Sequence, residues 1–159
     1  MNELGTDKQK EPYLQPLLRA QTKCSFGLTE PDVGSDLASL TSYAEKAANG
    51  YVLNGSKIFI NNGPVCDFAL VLARSREGGN RHSQMSIFIV DADRPGFSRG
   101  TKEHKMGQRA SQLSSLFLKI VSCLRMLFWP IISFLVSSLS NPTDRCRFMN
   151  TNRKKSIMY

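Results

Sequence analysis

Between Lys23 and Leu118 no stretch sustains a helical period, and short apolar runs are broken repeatedly by Gly, Pro, Asn and Asp. That punctuation restricts the fold more than any single residue does. Strands closed by turn dipeptides assemble into sandwiches or barrels, whereas an amphipathic helix needs a longer uninterrupted pattern. Strands are expected at Cys24–Leu28, Leu40–Ala47, Tyr51–Leu53, Lys57–Ile60, Asp67–Ala73, Met85–Val90, Phe97–Glu103 and Ser114–Leu118. Asn49-Gly50, Asn54-Gly55, Asn61-Asn62-Gly63-Pro64 and Asp91–Gly96 supply turns, and Arg74–Ser83 is a polar loop. Asp67–Ala73 and Met85–Val90 are apolar almost throughout, as strands covered on both faces are. The expected class is mainly β, a barrel or two packed sheets.

Two segments flank this region. Residues 1–22 read as a terminal helix, with Thr6 as N-cap and Gln9 completing a capping-box pattern, while Pro12 and Pro16 limit its regularity. Tyr13, Leu14, Leu17 and Leu18 form an apolar side that either docks on its own domain or belongs to a preceding helical one. Residues 119–159 differ in kind. The formal net charge is +8, and seven of the basic residues lie after residue 118 against Asp144 alone. The region 23–118 is therefore mixed in charge and has no basic, aromatic-interleaved face for nucleic acid. Ile120–Leu139 has the length and apolarity of a membrane helix, followed by Arg145, Arg147, Arg153, Lys154 and Lys155. Against a span stands the abrupt change after a β-rich body with no other membrane feature. The favoured reading is a tail foreign to the domain, not an anchor.

Cys24, Cys66, Cys123 and Cys146 are scattered without a CxxC pair, which argues against structural zinc and for a reducing compartment. The first residues show neither a signal-peptide core nor an Arg-rich transit pattern.

Chemistry concentrates in Leu28-Thr29-Glu30-Pro31-Asp32-Val33-Gly34-Ser35-Asp36, directly after the first expected strand. Pro31 sets one backbone angle, Gly34 is free to adopt one that side chains forbid, and Ser35 adds a hydroxyl beside successive amides that suit an anion. By itself the segment also reads as an ordinary interstrand loop.

Taken in order, Leu28–Pro31 with Gly34-Ser35-Asp36, Asn54–Gly63, Pro95-Gly96-Phe97 and Lys105-Met106-Gly107-Gln108-Arg109 resemble the acyl-CoA dehydrogenase family over about residues 5–118. The resemblance implies the end of an N-terminal helical domain at 1–22 and the middle β-domain at 23–118, with the C-terminal helical domain unmatched. It implies FAD as cofactor. Phe26, Leu28 and Thr29 would meet the isoalloxazine ring, Gly34 and Ser35 the pyrophosphate, and Phe59, Ile60 and Asn61 the ring edge. Ser35 would also touch the acyl-CoA substrate. Where the family commonly has Trp and, two places on, Thr or Ser, this chain has Phe59 and Asn61. Phe keeps a flat apolar wall, and Asn keeps a donor on a longer arm.

The implied reaction is α,β-dehydrogenation of an acyl thioester, as in fatty-acid β-oxidation. Electron-transfer flavoprotein is the implied acceptor, within a homo-oligomer in the mitochondrial matrix or a bacterial cytoplasm. The family's base is a Glu from the unmatched domain, so no catalytic residue is assigned, Glu30 included, and this chain alone is expected to be inactive. A non-catalytic or membrane-anchored β-domain and a related oxidase are the alternatives.

Overall fold

The computed structural model of the chain describes residues 5–48, 50–75, 85–123 and, for the backbone alone, 125–127. The chain divides into two compact units, Met1–Phe128 and Trp129–Tyr159, and every described residue belongs to the first.

The N-terminal segment is helical but not one regular helix. Helix α1 (Asp7–Gln9) passes through a π-helical turn (Lys10–Leu14) into α2 (Gln15–Leu18). The widened turn contains Pro12, whose ring and missing N–H disturb a regular i→i−4 ladder. Half of the capping box is explicit: Thr6 N donates to Gln9 Oε1 at 3.0 Å. Tyr13 and Leu17 pack on Phe68 and Ile89, with Leu70 and Ile87 beside them, so the segment docks on its own domain. Leu18, expected on that apolar side, points away and is 72% exposed.

Among the described residues eight strands follow: β1 (Cys24–Gly27), β2 (Tyr43–Ala47), β3 (Gly50–Asn61), β4 (Phe68–Ser75), β5 (Met85–Asp91), β6 (Phe97–Arg99), β7 (Leu113–Cys123) and β8 (Arg125–Leu127). They form a single sheet in the order β6-β7-β3-β2-β4-β5-β8, with β1 also on β4. One face of β2, β3, β4, β5 and β7 encloses a common core of Ala44, Leu53, Ile60, Val71, Phe88, Leu116, Leu118 and Val121 among others. The sheet curls far enough for β5 and β7 to touch, although three strands separate them in the order. Ala69, Val71 and Ala73 of β4 face that core, and Phe68 and Leu70 face the helical segment. Burial on both faces is why the run 67–73 is apolar without alternation.

Three strand expectations change. Asn54-Gly55 is not a hairpin turn, because β3 runs straight through it. Its glycine is needed for another reason. Gly55 sits at φ +151°, and a Cβ there would lie 2.1 Å from Ser42 Oγ. The strand expected at 114–118 extends from 113 to 123 across the expected boundary, so residues 120–123 of the apolar stretch 120–139 are strand, and 125–127 pair with β5. The strand expected at 97–103 ends at Arg99. Among the described residues no helix is long and apolar enough to cross a membrane. Asn49, residues 76–84, which hold most of the expected polar loop, and the remainder of the tail lie outside the described residues.

Candidate functional site

Strands β1 and β2 both run parallel to β4 along the same edge, nearly in line. Gly27 pairs with Val71, and Tyr43 pairs with Arg74. Those partners are three residues apart, or about 10 Å along an extended strand. Between them the chain leaves the sheet and returns through residues 28–42. The loop is thus an insertion into what would otherwise be one edge strand.

Its base is bound to β3. Thr29 O accepts from Ile58 N at 2.9 Å, and Leu28 O accepts from Lys57 Nζ at 3.1 Å. Glu30 closes a tight turn with Val33 through Glu30 N→Val33 O at 2.9 Å and Val33 N→Glu30 O at 3.2 Å. Its carboxylate points inward and is fully satisfied. Oε1 accepts from Lys57 Nζ at 2.8 Å and Ser42 N at 3.0 Å, and Oε2 accepts from Thr41 N at 2.7 Å and Thr41 Oγ1 at 2.6 Å. Both charged side chains are buried. Burial works to raise the Glu30 pKa, but the bonds from Lys57, Ser42 and Thr41 outweigh it and bring it down to about 2. Burial pulls Lys57 below the ordinary lysine range, opposed by Glu30. A carboxylate so committed stays ionised at neutral pH and has no free lone pair for a substrate proton.

The rest of the loop turns Val33 and Leu40 inward and leaves Pro31, Asp32, Gly34, Ser35 and Asp36 exposed. Asp36 caps a short turn, accepting from Ala38 N at 3.2 Å and from Ser39 Oγ. Arg74 Nη2 donates to Ala38 O at 2.6 Å. Gly34 does not adopt a left-handed conformation, contrary to the sequence expectation; Pro31 and the Glu30–Val33 pair make the turn instead. The space where its Cβ would stand is open. Among the described residues the amides of Gly34 and Ser35 have no hydrogen-bond partner, nor does the Thr29 amide or hydroxyl.

Two large aromatic side chains stand beside this base. Phe26 of β1 is 46% exposed and Phe59 of β3 is 63% exposed. Phe59 has φ +56° and lies in a bulge, since Lys57 pairs with Leu116 and Ile60 already with Ser114. The extra residue lets Lys57 and Ile60 both face inward while Phe59 is pushed out. Ile60 is therefore a core residue whose side chain faces away from the surface expected to hold a ring. Asn61 is exposed and accepts from Ser111 Oγ at 3.3 Å, which leaves its amide N–H groups outward. Asn62 Nδ2 reaches Cys24 O at 3.2 Å, completing the link between β1 and the end of β3. Phe26, Leu28, Thr29, Phe59 and Asn61 thus share one region of the outer surface.

The region at the base of the loop has exposed flat apolar walls and the unpartnered Thr29 donors. Farther along the loop Gly34 and Ser35 present unpartnered amides beside an open glycine position. The acyl-CoA dehydrogenase middle-domain model matches residues 25–121. The chain belongs to the acyl-CoA dehydrogenase family. It is similar to a short-chain specific acyl-CoA dehydrogenase of Megasphaera elsdenii, 41% identical over 120 residues, which are 75% of this chain and 31% of that protein. It is also similar to the Caffeyl-CoA reductase-Etf complex subunit CarC of Acetobacterium woodii, 38% identical over 74% of this chain and 31% of that protein. Among solved structures, a glutaryl-CoA dehydrogenase from Mycobacterium smegmatis in complex with FADH2 superimposes with a TM-score of 0.70. It is 34% identical over 79% of this chain and 32% of that one. The chain thus spans about a third of the length of the family members it matches.

Sequence reasoning missed the Lys57–Glu30 pair and its donors Thr41 and Ser42. One signal was present: a lysine inside the apolar run Lys57–Ile60 has to face either solvent or a buried anion, and only the register on β7 shows which.

Proposed function

We propose that this chain supplies the flavin-facing wall of a flavin-dependent acyl-CoA dehydrogenase. The observation that carries the reading is the outward Phe59 bulge beside Phe26 and the loop whose Thr29, Gly34 and Ser35 donors are unpartnered. The residues fit FAD: Phe26 and Phe59 offer apolar walls for a ring, Thr29 and Asn61 offer donors to its polar edge, and Gly34 and Ser35 offer amides and a hydroxyl to a pyrophosphate. FAD, when bound, accepts the hydride that leaves the β-carbon of the acyl thioester. This chain's residues orient the dinucleotide, and Ser35 also contacts the acyl-CoA. The α-proton is taken by a carboxylate other than Glu30. Electron-transfer flavoprotein is the proposed acceptor, supported by the Etf complex named for the CarC relative. The working form is a homo-oligomer, in the mitochondrial matrix or, for a bacterial source, the cytoplasm.

The test is a flavin-fluorescence titration of the full chain with FAD, repeated with Phe59→Ala and with Ser35→Val. Saturable quenching that either substitution weakens by about tenfold, or about 1.4 kcal/mol, supports the reading. No quenching, or quenching indifferent to both changes, overturns it.

A further inference from the structure

We propose that the buried Lys57–Glu30 pair is a positioning latch that sets where the 28–42 loop stands against the Phe59 bulge, and thereby how tightly that face holds a flavin dinucleotide. The second half rests on the flavin reading above; the first does not.

A buried ion pair is weak evidence for stability, because a well-packed apolar pair of similar volume often serves as well or better. Connectivity gives this pair another role. Lys57 Nζ holds Leu28 O on the departing arm of the loop, while Glu30 holds Thr41 N, Thr41 Oγ1 and Ser42 N on the returning arm. Both arms are therefore tied to one point on β3, two residues before Phe59. Strand pairing stops at Gly27 and resumes at Tyr43. Between them Ile58 N holds Thr29 O, Arg74 N holds Ser42 O and Arg74 Nη2 holds Ala38 O. None of these satisfies the Leu28 carbonyl or the Thr41 and Ser42 amides, and apolar side chains cannot.

Neighbouring residues are shaped to admit the pair. Gly27 leaves room for the Lys57 stem, since a Cβ there would lie 3.2 Å from Lys57 Cγ. Gly55 leaves room for Ser42, whose amide is one of the Glu30 donors. The exposed Gly34 and Ser35 follow the Glu30–Val33 turn directly, so any movement of Glu30 is passed to their unpartnered amides. Ligand-contacting groups keep their geometry only if the residues behind them are locked.

The test uses the full chain and three variants: Glu30→Gln/Lys57→Met, which removes both charges at similar volume; Lys57→Met; and Thr41→Val, which deletes one donor and leaves the pair. Hydrogen exchange is followed in peptides covering 31–42 and, as an internal reference, 85–91 and 113–123. FAD affinity is read by fluorescence quenching. The double variant is expected to keep reference exchange unchanged while loop amides exchange about tenfold faster and FAD binds about tenfold more weakly, the loss of one charge-assisted hydrogen bond or more. Thr41→Val is expected to shift both readouts in the same direction by less, and it decides the matter if the charge variants do not fold. Unchanged loop exchange in the variants overturns the latch. Faster loop exchange with unaltered FAD affinity overturns its effect on the ligand. If the unaltered chain takes up no FAD, the flavin reading fails by that measurement, and the exchange comparison still decides whether the pair holds the loop.

Discussion

At the residue scale, three glycines that look alike in the sequence carry different constraints. Gly55 and Gly96 have φ of +151° and +86°, and a Cβ would meet Ser42 Oγ at 2.1 Å and the Lys119 carbonyl oxygen at 2.0 Å. Gly34 has an ordinary φ and nothing within 4 Å. Gly55→Ala and Gly96→Ala are therefore expected to cost about 2–4 kcal/mol through overpacking and strain, read as lowered urea midpoints. Gly34→Ala should leave the midpoint within about 0.5 kcal/mol, as an unconstrained surface change does, yet weaken FAD quenching. A midpoint fall at Gly34 as large as at Gly55 would falsify that contrast. Glu30 carries an acid-side pH dependence. Its folded pKa is depressed from 4.5 to about 2, so its stabilisation is complete above the unfolded value and disappears as pH falls from about 4.5 through 2. The integral is at most about 3.4 kcal/mol. Acid melts of the Glu30→Gln variant should lack that part of the slope.

At the element scale, the helical segment and the bulged strand show where local pattern yields to packing. Thr6, Gln9 and the apolar spacing announced a helix, and Pro12 announced its irregularity, but only docking decided that Tyr13 and Leu17 pack while Leu18 does not. Tyr13 Oη donates to Asp91 Oδ1 at 2.8 Å, and its ring meets Phe68 with centroids 5.0 Å apart. Burial first, then the Asp91 contact, pushes the phenol up to about 12. A raised pKa stabilises the fold below the unfolded value near 10, and the contribution is lost as pH rises through about 12. Tyr13→Phe is expected to cost about 1 kcal/mol and to remove this alkaline dependence, measured by denaturant melts at pH 8 and pH 11. In β3, Asn54-Gly55 mimics a hairpin signal because the dipeptide is the same; its meaning changes once Ser42 occupies the space a side chain would need. The Phe59 bulge has no composition signal, since Lys57-Ile58-Phe59-Ile60 fits a regular strand equally well.

At the scale of the whole molecule, the curled sheet makes one surface from segments far apart in the chain. Asn62 touches Cys24, Ile58 bonds to Thr29, and Ser42 reaches Gly55. The face so formed offers donors and aromatic walls, and the carboxylate bound at its base, Glu30, is saturated. Mixing the chain with FAD and a short saturated acyl-CoA under anaerobic conditions should therefore leave the flavin absorbance unbleached. Substrate-dependent bleaching would show that a base is present among this chain's own residues.

The sequence alone determined the mainly β class, the doubly covered strands β4 and β5, the helical lead-in and the order of motifs that carries the family. Those properties follow from local periodicity, turn residues and short-range spacing, which are written along the chain. Only the tertiary structure decided that Lys57 meets Glu30, that Phe59 faces out while Ile60 faces in, and that β7 runs past Leu118. Each depends on strand register, and a shift of one residue reverses the face that every side chain presents.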